Sequence, residues 1–143
     1  MTKVDSPNSS EPRPGLTIEL EAVDLDRDGK GLARWNNWVI VVPDLLPGER
    51  ATVQLQQRQK SRWLSRRVDQ ISFSAERRRP PCILADDCGG CTLQRLDDSA
   101  QTRWKAQQLQ QTMQRIGGID VAPAATLVAV SYTHLRAHET ETN

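Results

Sequence analysis

From Leu16 apolar and polar residues begin to alternate, and between there and Ile71 short strand-like stretches recur between turn signals, with no part of the span keeping the spacing of a helix. Leu16, Ile18 and Leu20 share one face while Thr17, Glu19 and Glu21 share the other, which is the pattern of a half-buried strand. DRDGKG supplies turn residues. GLARW and WVIVV then read as two strands joined at Asn36-Asn37, because asparagine tolerates the positive φ that a two-residue hairpin demands. Two prolines and a glycine in PDLLPGE break the sheet, and alternation resumes through Ala51, Val53 and Leu55. SRWLSRRVDQIS offers a fifth strand, with Trp63, Val68 and Ile71 expected to turn inward. Five short strands within about sixty residues predict a small, closed or nearly closed β-barrel of the OB type over residues 15–75, although an SH3-like barrel satisfies the same pattern.

The flanks differ. Residues 1–14 are rich in Ser, Pro and charge and predict a disordered arm. After the barrel the period changes to that of a helix: Ala106, Leu109, Met113 and Ile116 fall on one face of DDSAQTRWKAQQLQQTMQRIGG. Asp98 or Ser99 is expected to cap its start and Gly117 to take the left-handed position at its end. Such an amphipathic helix is more often a docking face than a site. IDVAPAATLVAV looks like the approach to a further strand, and SYTHLRAHETETN is polar and unpatterned.

At 143 residues the chain has room for one ordinary domain or two small ones, and a 37% hydrophobic fraction implies a thin core. A net charge of +1 conceals an asymmetry: residues 5–28 are acidic, whereas residues 58–79 hold eight Arg and Lys against Asp69 and Glu76. No apolar run is long enough to cross a bilayer, and the first residues lack the apolar centre of a signal peptide, so the chain is expected in the cytoplasm, away from membranes. In that compartment disulfides are disfavoured, and clustered cysteines read as metal or redox chemistry.

All three cysteines lie within CILADDCGGCTLQ. Two residues, Gly89-Gly90, separate Cys88 from Cys91 and let the backbone turn tightly between them, and five residues separate Cys82 from Cys88. Three thiolates from one loop suit a corner of an iron–sulfur cluster, and zinc remains open on spacing alone; either metal needs a fourth ligand. His134 and His138, the only histidines, sit in the unpatterned tail. The cationic run Arg58, Lys60, Arg62, Trp63, Arg66 and Arg67 has the form of a nucleic-acid surface, with cations for phosphates and an indole for an unpaired base. The competing reading is a solvated sheet face with Trp63 in the core. No nucleotide-cradling glycine loop, nucleophile triad or paired carboxylate is present, so no catalytic or cofactor-binding residue is assigned.

These segments together resemble the S-adenosylmethionine-dependent RNA uracil-C5-methyltransferases of the ribosomal-RNA kind, which carry an N-terminal TRAM barrel. The glycine-rich first turn matches DRDGKGLAR, the valine-rich strand matches WVIVVPDLLPGE, and the lead-in matches SAERRRPPC. CILADDCGGCTLQ fits every position of the family's cysteine motif, and Gln101 and Lys105 fit the helix after it. The resemblance covers about residues 15–129. It implies that Cys82, Cys88 and Cys91 are three ligands of a structural 4Fe-4S cluster within residues 76–129, and that 23S rRNA is the partner. It also implies that this portion precedes the family's Rossmann-like domain. That domain binds S-adenosylmethionine and supplies the cysteine that adds to carbon 6 of uracil. A monomeric N-terminal fragment, inactive by itself, is therefore expected. Residues 130–143 resemble translated adapter sequence and are expected to be non-native. A tRNA methyltransferase of the same superfamily, or a non-enzymatic RNA-binding zinc or iron–sulfur module, are the alternatives.

Overall fold

The computed structural model describes residues 11–123, which fall into two compact units divided after Gln101. Most of the expected arm, the end of IDVAPAATLVAV, the tail and both histidines lie outside the described residues.

Five strands form the first unit: β1 (Thr17–Leu25), β2 (Gly31–Trp35), β3 (Trp38–Val42), β4 (Arg50–Gln59) and β5 (Arg62–Ser72). They close in the order β1-β2-β3-β5-β4, with every pairing antiparallel except β3 with β5. This is the closed five-stranded barrel that the alternation predicted, mainly β with one helix after it. Closure removes the sheet edges and lets one face of each strand point into a shared core. Ile18, Ala33, Ile40, Val42, Val53 and Leu55 meet there, all essentially without exposure.

Turn chemistry follows the sequence closely. Asn36 has φ 52°, and Trp35 pairs with Trp38 across the two-residue hairpin. In DRDGKG the Asp26 carboxylate accepts the amides of Asp28 and Lys30, each at 2.9 Å, while Gly29 takes φ 78°. Gly31 is required for a different reason: a Cβ there would lie 2.4 Å from the carbonyl oxygen of Leu45, so only glycine lets β2 pass the β3–β4 turn.

The inward set of β5 departs from expectation. Trp63 and Ser65 turn inward, but Val68 and Ile71 are exposed. The register gives the cause. Thr52 pairs with Asp69 while Val53 pairs with Arg67, and Arg50 pairs with Ser72 while Ala51 pairs with Gln70. Val68 and Ile71 are thus the extra residues of two β-bulges, left unpaired and turned out as the strand coils. Val23 is the corresponding extra residue where β1 passes β2, and it too is exposed.

The helix α1 spans Asp98–Gly117. Its cap is Asp97 rather than Asp98 or Ser99: Asp97 Oδ1 accepts the Ala100 amide at 2.7 Å. At the other end Gly118, not Gly117, takes the left-handed conformation, with φ 62° and its amide on the Gln114 carbonyl at 3.1 Å. Both ends shift because a cap must stand just outside the last residue with helical backbone angles. Of the predicted apolar face, Leu109 and Ile116 are exposed and Ala106 and Met113 half-buried.

Candidate cysteine loop and RNA surface

Residues 78–95 leave the barrel and return to it through a short two-stranded neck. Arg77 bridges Leu96 in antiparallel fashion, the Arg78 amide reaches the Arg95 carbonyl at 2.7 Å, and the Asp97 amide reaches the Glu76 carbonyl at 2.9 Å. Gln94, the last residue of the cysteine motif, fastens the loop from inside: its side-chain oxygen accepts the Cys82 amide at 3.3 Å, and its carbonyl accepts Arg78 Nε at 3.1 Å. On its return the loop lies against the first barrel turn, since a Cβ on Gly29 would come within 3.1 Å of Thr92.

Beneath the neck lies a network that sequence reading missed. Glu49 is fully buried and accepts Arg77 Nε at 2.6 Å, Arg77 Nη2 at 2.8 Å and the amides of Leu46 and Ser74. Burial alone pushes this carboxyl up; the Arg77 hydrogen bonds, helped by the two amides and the guanidinium charge, outweigh it and hold the group below its ordinary value. Arg77 is in turn held more firmly protonated, first by its hydrogen bond to Glu49. Next to this pair Asp44, at φ 58°, receives Arg67 at 2.9 Å, Arg95 at 2.6 Å and Arg77 at 3.5 Å. One barrel turn therefore ties β5 to both strands of the neck. A signal was available: Glu49 stands in phase with the inward residues Ala51, Val53 and Leu55, and an inward carboxylate needs a cation.

Cys82, Cys88 and Cys91 are all exposed and none is in a disulfide. Cys88 Sγ leans toward Gly90, 3.4 Å from where a Cβ would sit. The three sulfurs do not converge: among the described residues no three His, Cys, Asp or Glu side chains gather closely enough to hold a metal ion. The donor set suits a thiophilic metal, whereas the loop as described is open.

The six residues of the expected RNA surface separate into two groups. Arg58, Lys60 and Arg62 are exposed around the β4–β5 turn, where the Arg58 guanidinium stacks 4.6 Å from the centre of the Trp38 ring. Arg66 is exposed too, and its guanidinium donates to the neutral Gln54 side chain at 3.1 and 2.9 Å. Trp63 and Arg67 do not belong with them. Trp63 is 4% exposed, paired with Ile40 of β3, and so is not presented to a base. Its indole N–H finds no partner among the described residues, a cost of about 1–3 kcal/mol. Burying a ring of roughly 200 Å² gains about 5 kcal/mol, so the core position wins. Arg67 is committed to Asp44 and Gln70. It is a structural residue of the neck network.

No protein-family model matches the chain. Among curated proteins it is 70% identical over 121 residues to an uncharacterized RNA methyltransferase of Parasynechococcus marenigrum (strain WH8102), covering 83% of this chain and 26% of that protein. It is 38% identical over 114 residues to one of Synechocystis sp. (strain PCC 6803), and 36% identical over 111 residues to one of Listeria monocytogenes serotype 4b. The chain belongs to this RNA methyltransferase family. It spans about a quarter of the length of these relatives, covering 25% of the Synechocystis protein and 24% of the Listeria one. Among the described residues no helix is long and apolar enough to cross a membrane.

Proposed function

We propose that this chain is the N-terminal portion of an S-adenosylmethionine-dependent methyltransferase acting on carbon 5 of uracil in 23S rRNA. In this reading it is a TRAM barrel that grips RNA, joined to a loop whose Cys82, Cys88 and Cys91 ligate a structural 4Fe-4S cluster. It works as a monomer in the cytoplasm, and no residue of the chain is assigned a catalytic role. The observation that carries the reading is the complete cysteine motif, through Gln94, on a loop that closes onto an OB-like barrel in a relative of RNA methyltransferases. Methyl transfer to uracil is polar chemistry between a nucleophile and a sulfonium donor, with no electron to move, so a cluster here serves to fold the loop. Drawing three open thiolates onto one metal centre requires the loop to tighten on binding, which is the usual coupling of metal binding to folding.

The experiment is anaerobic purification and reconstitution with iron and sulfide. A brown protein with visible absorbance that is lost in Cys88→Ser is expected. A colourless, zinc-only protein would overturn the cluster reading and favour a zinc module. Methylation of 23S rRNA against tRNA by a full-length protein containing this chain, with a labelled methyl donor, decides the substrate.

A further inference from the structure

The exposed chemistry of β5 continues past its last residue. Phe73, the single phenylalanine of the chain, is 69% exposed, and with Arg78, Arg79, Pro80 and Ile83 it lines a groove of about 670 Å³ beside the neck of the cysteine loop. Phenylalanine left in water forgoes roughly 1.5–3 kcal/mol that burial would return, so an aromatic here asks for an occupant. The charges of the groove say which kind. Arg77 and Arg95 also line it but are neutralised by Glu49, Asp44 and Asp86. Arg78 spends one N–H on the Gln94 carbonyl and pairs with the exposed Asp98. Arg79 is exposed and makes no hydrogen bond or ion pair among the described residues.

An aromatic wall beside an uncompensated guanidinium is suited to a nucleotide whose base is free to stack, with the ring taking the base and the guanidinium the phosphate. An apolar protein segment laid in the same groove would strip water from Arg79 and offer its charge nothing. The volume is that of an ordinary small-ligand site. We propose that this groove takes one unpaired nucleotide of single-stranded RNA, its base on Phe73 and its phosphate on Arg79. The inference rests on the RNA-binding reading above but adds a site outside the run of β4–β5 cations. It also gives the stacking role expected of Trp63 to Phe73, ten residues further along the chain.

The test uses the whole 143-residue chain and a fluorescently labelled single-stranded RNA of about twelve nucleotides, titrated at several salt concentrations. Phe73→Leu is expected to weaken binding by about tenfold with an unchanged salt slope, and Phe73→Trp to restore it. Arg79→Gln is expected to flatten the slope of log affinity against log salt by about 0.7, one phosphate contact on a single strand. Thermal melts of each variant should superimpose on that of the parent chain, since neither side chain is buried. Wild-type affinity in both variants would overturn the proposal and leave the groove as a protein-docking face. If Arg58→Gln and Arg62→Gln weaken binding while the Phe73 and Arg79 variants do not, only this site is wrong. No RNA binding by the parent chain would overturn both readings.

Discussion

Glu49 illustrates how much one residue can decide. It is the one acidic residue with no exposed surface among those described, and four hydrogen bonds from Arg77, Leu46 and Ser74 converge on it. Removing one partner of a buried ion pair costs about 3–5 kcal/mol, because the other charge is left without solvent or counter-ion. That is a large share of the roughly 5–15 kcal/mol that holds a domain together. Glu49→Ala should therefore lower the denaturation midpoint far more than Glu19→Ala, whose partnership with Arg50 is exposed. The pH dependence has a definite sign. The Glu49 carboxyl is held below its ordinary value in the folded chain. Its contribution is complete above the unfolded value of about 4.3 and is lost as pH falls through the lower folded value. In acid melts the parent chain should lose stability in that window, and Glu49→Gln should show a shallower decline. Parallel curves would remove Glu49 from the acid sensitivity of the fold.

At the scale of elements, the boundaries of β2 and β3 are those of GLARW and WVIVV, because the apolar run and the Asn-Asn turn leave no other register. Long-range pairing decided the rest. In β5 the sequence offers Trp63, Val68 and Ile71 as an inward set, yet the bulges at Val68 and Ile71 exist only because β4 and β5 must coil together to close a barrel. The start of α1 shows a similar limit: Asp97, Asp98 and Ser99 are all capping residues by type, and the neck chose among them. Asp97 is the one whose amide is already held by Glu76, which leaves its carboxylate aimed at the open amides of the first turn. Asp97→Ala should lower stability by about 1 kcal/mol, readable as a shift of the thermal midpoint by roughly 4–8 °C. Ser99→Ala should leave the midpoint in place.

For the molecule as a whole, the question is where its charge is usable. A formal +1 is too small to draw RNA by itself, and the cations that could do so must be free of acidic partners. Arg67, Arg77 and Arg95 are not, since Asp44 and Glu49 hold them. Arg58, Lys60, Arg62 and Arg66 keep their charge toward solvent at the β4–β5 side of the barrel. Replacing Arg58, Arg62 and Arg66 together with Gln should reduce the salt slope of RNA binding by about 2, near 0.7 for each lost phosphate contact. Arg67→Gln should instead act on the melting curve.

The barrel was legible from the residues because alternation and turn chemistry are local, and five such strands have few ways to bury their inner faces. The cysteine motif was legible because the spacing of its residues is a property of a short loop. Neither pattern states which arginine in a run of many meets a carboxylate 28 positions earlier, as Arg77 meets Glu49. Nor does a strand pattern reveal whether a tryptophan among arginines faces water. Pairing of β5 with β3 turned Trp63 inward, and the end of that strand left Phe73 outside. Composition and local period set the elements and the donor types. Register and closure, which depend on contacts between distant residues, set which of those donors are spent on the fold and which remain for a ligand.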